Sequence, residues 1–195
     1  MKTLKGTKTA ENLMKSFAGE SQARNRYTFY SSAAKNEGFI QISNIFAETA
    51  DNEKEHAKRF FKFLNEESLM GDTVQITADF PVMLAKTKDN LLAAANGEHE
   101  EWAKLYPSFA DTAEKEGFKN IAAVFRYVAE VEERHEARYR KLIDNLNNDK
   151  IFKKDSEVLW KCGNCGYIYE GKEAPEVCPS CAHPKAYFEL FCENY

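Results

Sequence analysis

The sequence predicts an all-α four-helix bundle followed by a small cysteine-rich module. Three observations carry that expectation. Gly and Pro are scarce up to about residue 148 and gather, with every cysteine, in the remainder. The first stretch contains an internal duplication. Each copy carries residues spaced alternately by three and four, the seam of a helix facing a bundle axis.

The duplication aligns Ala34-x-x-Glu37-Gly38-Phe39-x-x-Ile42-x-x-x-Phe46 with Ala113-x-x-Glu116-Gly117-Phe118-x-x-Ile121-x-x-x-Phe125, at an offset of 79. Glu53 and His56 then match Glu132 and His135, and Phe60 matches Tyr139. Upstream, Gly19-Glu20 matches Gly97-Glu98 at an offset of 78, so one residue is inserted before Tyr27 and Tyr106, which match at 79 again. Gly38 and Gly117 supply the positive φ that ends a helix at a short turn. The expected helices are A over 9–36, B over 39–66, C over 83–115 and D over 118–147. The B–C connection is long and carries Gly71 and Pro81. Two hairpins joined by one long crossover make the ferritin-like form of the four-helix bundle. A linker is expected at 149–157, dividing a bundle at 1–148 from a module at 158–195.

Composition narrows the function. Lys and Arg number 27 against 31 Asp and Glu, a net charge of −4, which argues against an extended nucleic-acid-binding surface. No apolar run approaches the ~20 residues that span a bilayer, so no membrane role is expected. The start, Met1 to Lys8, lacks the apolar stretch of a secretory signal, and a cytoplasmic location is the expectation.

The seams are apolar at their ends and ionisable in the middle. Helix B presents Ile42, Phe46, Thr49, Glu53, His56, Phe60 and Phe63. Helix C presents Leu84, Thr87, Leu91, Ala94, Glu98, Glu101 and Leu105, and helix D presents Ile121, Phe125, Val128, Glu132, His135, Tyr139 and Leu142. In helix A, Leu13, Phe17, Glu20, Tyr27 and Ala34 share one stripe. Burying isolated carboxylates costs several kcal/mol each, so five in one place need a counter-charge, and few basic residues share the seams. Single glutamates (Glu20, Glu98) from two helices, with Glu-x-x-His pairs (Glu53/His56, Glu132/His135) from the other two, build a di-iron or di-manganese site. Glu101 is the surplus ligand, since its repeat counterpart is Ala23 or Gln22. Two Fe(II) bring four positive charges and two Fe(III) six, bracketing five carboxylates, so Glu101 is expected to bind mainly in the oxidised state. A hydrogen-bonded outer role is its alternative. Tyr27 and Tyr106 are read as hydrogen-bond donors to ligand carboxylates and proton relays, or else as plain core aromatics. His99 points off the stripe. Glu48, Glu55, Glu100, Glu130, Glu133 and Glu136 fall off the seams and are expected in solvent.

Cys162-x-x-Cys165 and Cys178-x-x-Cys181 form a tetrahedral four-sulfur site for zinc or a single iron, and the spacing does not choose between them. Trp160, Tyr167, Tyr169, Phe188 and Phe191 are expected to form a small aromatic core, which leans toward iron. Cys192 is left as a bystander thiol and His183 as structural.

Together these motifs resemble the rubrerythrin family over essentially the whole chain. The resemblance implies a di-iron bundle with a C-terminal rubredoxin-like β module holding one iron on Cys162, Cys165, Cys178 and Cys181. It implies a non-haem peroxidase that reduces hydrogen peroxide to water, with electrons from NAD(P)H arriving through a reductase or rubredoxin. It also implies that one iron exchanges His56 (reduced) for Glu101 (oxidised), with Glu53 and Glu132 bridging. Glu20 stays on that iron, and Glu98 and His135 hold the other.

Helix D runs on from His135 for roughly 18 Å at 1.5 Å per residue before the linker starts. A head-to-tail homodimer with electron transfer between subunits is therefore expected. The alternative function is ferroxidase or iron handling, which leaves the cysteine module idle.

Overall fold

The computed structural model describes residues 3–65 and 69–194. Helices α1 (Lys8–Asn36) and α2 (Ile40–Leu64) form the first hairpin. The second hairpin consists of α3 (Thr87–Glu100), a π-helical turn (Glu101–Leu105), α4 (Tyr106–Lys115) and α5 (Lys119–Asn147). Strands β1 (Lys153–Cys162), β2 (Ile168–Glu173) and β3 (Phe188–Leu190) form an antiparallel sheet in the order β2-β1-β3. Among the described residues no helix is long and apolar enough to cross a membrane.

The repeated Glu-Gly-Phe motif does the same work twice. Gly38 and Gly117 sit at φ +84° and +78°, and the N–H groups of Phe39 and Phe118 close back on Ala34 and Ala113. That is the six-to-one bond of a glycine-terminated helix. The glutamate before each glycine reaches across to the other repeat. Glu116 accepts from the N–H groups of Lys8 and Thr9 at the start of α1, and Glu37 accepts from the N–H of Thr87 at the start of α3. Each carboxylate thus satisfies orphan N–H groups where the helix dipole favours negative charge.

The third helix departs from expectation at both ends of its seam. It starts at Thr87, not 83, because the Asn90 side chain bonds both the N–H and the C=O of Ala85 and holds that backbone out of the helix. Leu84 is consequently exposed rather than inward. Lower down, the inserted residue is absorbed by the π-helical turn, as one extra residue per turn requires. The register slips by one: Leu105, expected inward, is 37% exposed, and Tyr106 is buried at 2% in its place. The expected end of helix B at 66 lies outside the described residues.

The bundle interior is layered. One apolar cluster, with Leu13, Phe60, Phe63, Tyr106, Ile121 and Phe125, fills one end. A second, with Tyr27, Tyr30, Ile42, Phe46, Leu91 and Tyr139, fills the other. The ionisable belt lies between them. Helix α5 ends at Asn147, and Asp149 takes a positive φ of 55° at the exit. Strand β1 begins at Lys153, so part of the stretch expected as linker is strand. The tail packs on the α1–α2 turn: Phe152 stacks on Phe39 with ring centroids 6.3 Å apart, and Ala186 lies against Gly38. Its own core is Trp160, Cys162, Ala174, Cys178 and Phe188, with Phe152, Tyr169 and Tyr187 against it. Tyr167, expected in that core, is at the surface because it follows the exposed turn of the first cysteine pair.

Candidate metal centres

The belt is assembled by four helices. Glu20 comes from α1, Glu53 and His56 from α2, Glu98 from α3, and Glu132 and His135 from α5. Glu20, Glu53, Glu98 and Glu132 are at most 1% exposed and His135 is 5% exposed. Their ligand atoms fall into two groups, each within 4.8 Å: Glu20, Glu53, His56 and Glu132, and Glu53, Glu98, Glu132 and His135. Glu53 and Glu132 belong to both, and each aims one oxygen at each histidine. The Glu53 oxygens lie 3.0 Å from His56 Nδ1 and 3.2 Å from His135 Nδ1. Those of Glu132 lie 2.8 and 2.7 Å from the same two atoms.

Of these four contacts only that between His56 Nδ1 and Glu53 Oε2 is a hydrogen bond. Both oxygens of Glu132, Oε1 of Glu53, Oε2 of Glu20 and Nδ1 of His135 are buried with no hydrogen-bond partner among the described residues. Buried polar atoms are otherwise nearly always paired. These atoms converge on shared points rather than on one another, as ligands do. The carboxylate and imidazole groups fit a di-iron centre, with Glu53 and Glu132 common to both ligand groups.

Proton binding shows the same strain. Burial, then the charges of Glu101, Glu53 and Glu132, push Glu20 well above the usual carboxylate range. Burial, then Glu53, Glu132 and Glu101, do the same to Glu98. Burial opposes charge on the histidines, but Glu132 and Glu53 outweigh it and lift His56 to about 10 and His135 to about 9. Burial also raises Glu53, yet the neighbouring His135 and His56 imidazoles hold it at about 2. Without metal the belt balances its charge with protons, which cations displace.

Two phenols cross between the repeats. Tyr27 donates to Glu98 Oε1 at 2.6 Å, and Tyr106 donates to Glu20 Oε1. Each hairpin therefore orients the single glutamate of the other. Glu101 stands in neither ligand group. It opens the π-helical turn and lines a groove of about 840 Å³ between α1, α3 and the crossover, together with Gln22, Arg26 and Tyr106.

One glutamate expected in solvent is not there. Glu136 is 8% exposed and accepts from Trp102 Nε1, Arg140 Nε and His99. Burial raises its pKa, but these three donors outweigh it. The one legible signal was Arg140 four residues after it; Trp102 and His99 come from the other side of the hairpin.

In the tail, Cys162 and Cys181 sulfurs are 3.8 Å apart and those of Cys165 and Cys178 3.7 Å. A disulfide requires ~2.05 Å, whereas a tetrahedron with ~2.3 Å metal–sulfur bonds has edges near 3.8 Å. Burial lifts Cys162 to about 11, while the Tyr167 N–H holds exposed Cys165 at about 6. Cys192 is exposed and stands outside the set.

Residues 11–143 match the rubrerythrin family model, and residues 160–189 match that of the rubrerythrin rubredoxin-like domain. Rubrerythrin-1 of Clostridium acetobutylicum is 65% identical, with all of both chains covered. The fully reduced, all-ferrous state of nigerythrin superposes with a TM-score of 0.64 at 30% identity, covering 97% of this chain and 92% of that one. A Desulfovibrio desulfuricans bacterioferritin shares the bundle fold (TM-score 0.66, 20% identity, covering 73% of this chain and 82% of that one). The four tail cysteines accordingly fit one iron.

Proposed function

Because the chain belongs to the rubrerythrin family of oxidoreductases, we propose that it reduces hydrogen peroxide to water. Its electrons come from NAD(P)H through a separate reductase or rubredoxin and enter at the Cys162–Cys165–Cys178–Cys181 iron. The observation that carries this reading is one chain holding two kinds of centre: paired ligand groups sharing Glu53 and Glu132, and a one-electron four-cysteine site. Bound in the belt, a pair of ferrous ions supplies the two electrons that cleavage of one O–O bond consumes.

Two protons complete the two waters. Glu101 and Tyr106 line the groove and face the belt, so they are the route for those protons. Burial, then Glu132 and Glu53, hold Glu101 well above the usual carboxylate range, which keeps a proton available there. Tyr106 and Tyr27 hold Glu20 and Glu98 in their ligand orientations. His56 occupies the ligand group while Glu101 stands off, which supports His56 as ligand in the reduced state and Glu101 in the oxidised one.

The same reading divides the chain at about residue 149 and places it in the cytoplasm as a head-to-tail homodimer. The tail docks at the start of α2, and His56 lies roughly 24 Å further along that helix at 1.5 Å per residue. On this reading electrons pass to a partner subunit's belt rather than along that helix. Stopped-flow mixing of the reduced protein with peroxide and, separately, dioxygen tests the activity. Faster oxidation by peroxide is expected; faster oxidation by dioxygen would favour the ferroxidase reading.

A further inference from the structure

The groove beside the belt is far larger than hydrogen peroxide needs. Its volume is about 840 Å³. One water fills about 30 Å³ of liquid, and small organic ligands fill clefts of about 300–1,000 Å³. The groove runs along α1 from Lys15 to Arg26, roughly 16 Å at 1.5 Å per residue. Much of its wall is apolar: Phe80, Val82 and Met83 of the crossover, Leu92 of α3, Leu105 of the π-helical turn and Phe109 of α4. All of these except Phe109 are exposed, and apolar surface gathered in one place and left in water is a mark of a binding site. Two wall residues face the belt, Glu101 and Tyr106, and the Tyr106 hydroxyl donates to Glu20 Oε1. A molecule seated there presents one end to the belt and lays the rest on apolar wall. The charged residues of the wall lean acidic: Asp79, Asp89, Glu100 and Glu101 stand against Lys15 and Arg26.

We infer that the groove is a substrate site for neutral alkyl hydroperoxides, ROOH, with the alkyl group on the apolar wall and the O–O group at Glu101 and Tyr106. The inference rests on the peroxidase reading proposed above and names a substrate class for it. The reaction consumes two electrons and two protons: the O–O bond breaks, and an alcohol, ROH, and water leave. Both electrons come from the ferrous pair, replenished from NAD(P)H, and both protons arrive through Glu101 and Tyr106. Burying the alkyl group strengthens binding by up to about fourfold for each CH₂. A carboxylate on the substrate meets the acidic excess of the wall, which selects against anionic hydroperoxides.

Steady-state assays of the iron-loaded full chain with ethyl, butyl and hexyl hydroperoxide test this. KM is expected to fall by about tenfold or more from ethyl to hexyl. A KM that is flat or rises along the series overturns the site, as does refusal of all three while hydrogen peroxide is reduced. A hydroperoxide of the hexyl length ending in a carboxylate should show a KM about tenfold or more above that of hexyl hydroperoxide, and an equal KM overturns the neutral class. Calorimetry reads the groove without turnover: hexanol should bind the oxidised, iron-loaded protein more tightly than ethanol, and equal binding overturns the site. Ala93→Phe adds a ring to the α3 wall and is expected to abolish both the KM trend and the preference for hexanol; their persistence overturns the site. If that variant does not fold, Leu92→Ser, at an exposed wall position, is expected to reduce both, and no reduction overturns the site. The peroxidase reading fails separately: a protein that reduces no peroxide, hydrogen peroxide included, removes it and the substrate class with it.

Discussion

The two hairpins are built on one plan, and the second carries a single inserted residue. Both end their first helix at Glu-Gly-Phe, and both use that glutamate to cap the other hairpin. Both send a tyrosine to the other's glutamate and carry Glu-x-x-His on the second helix. The first hairpin runs α-helical through Gln22 and Ala23, while the second winds through a π-helical turn at Glu101–Leu105. The symmetric part makes two equivalent ligand groups that share Glu53 and Glu132. The extra residue adds a fifth carboxylate on one side only, facing a groove. Symmetry thus builds the paired ligand groups, and its breach puts one more carboxylate on the groove wall.

The largest expected effect comes from removing what the hairpins share. Glu53→Ala takes an oxygen from both ligand groups, so both irons should be lost, with metal affinity falling by more than the 10–100-fold typical of outer partners. Iron analysis should then find only the four-cysteine iron. Retention of three irons per chain would contradict the bridging role.

Metal removal exposes the cost of the shared belt. His56 and His135 are raised when folded, so their contribution to stability is complete below about pH 6.5 and is lost as pH rises through about 9 and 10. Glu20, Glu98 and Glu101 are also raised and act in the same direction as they ionise. The melting temperature of metal-free protein should therefore fall between pH 6.5 and 10, by about 2–4 °C for each kcal/mol lost. The iron-loaded protein should change far less over that range, because its ligands are already deprotonated.

The crossed phenols allow the hairpins to be compared directly. Tyr106→Phe leaves Glu20 without its donor beside the Glu101 groove, and Tyr27→Phe does the same to Glu98 on the enclosed side. Each should weaken metal binding about 10-fold or more. Only Tyr106→Phe should also slow oxidation of the reduced centre by peroxide, since only that phenol lines the groove. Equal slowing in stopped flow would dissolve the distinction.

The smallest expected effect lies in the tail, which repeats the comparison in miniature. After the first cysteine pair Gly166 takes φ +79°, and after the second Ala182 takes φ +57°. A Cβ there costs about 1 kcal/mol, so Ala182→Gly should stabilise the module by about that much, read as slower iron release on heating.

Much of this was legible in one dimension. The repeat located both hairpins, Gly38 and Gly117 marked their turns, and every seam position named on α2 and α5 is inward or partly so. Belt residues were legible because carboxylates at core spacing contradict the seam around them. The one-residue change of offset was visible too, but not its form. An insertion can be spread over a turn, looped out or ended in a new cap, and backbone hydrogen bonding decides among them. Glu136 escaped for a related reason: its partners Trp102 and His99 lie 34 and 37 residues away and meet it only after the hairpin folds.

The order of the residues alone determined how many helices there are, which faces turn inward and which helices bring carboxylates and histidines to the belt. Those properties follow from local periodicity and from the chemistry of each side chain. Only the folded chain decided that each hairpin caps and orients the other, that Tyr106 rather than Leu105 faces inward, and that Glu101 shares a groove with Arg26. These depend on which surfaces meet across the bundle, and a change of one residue in register turns a helix face by about 100°.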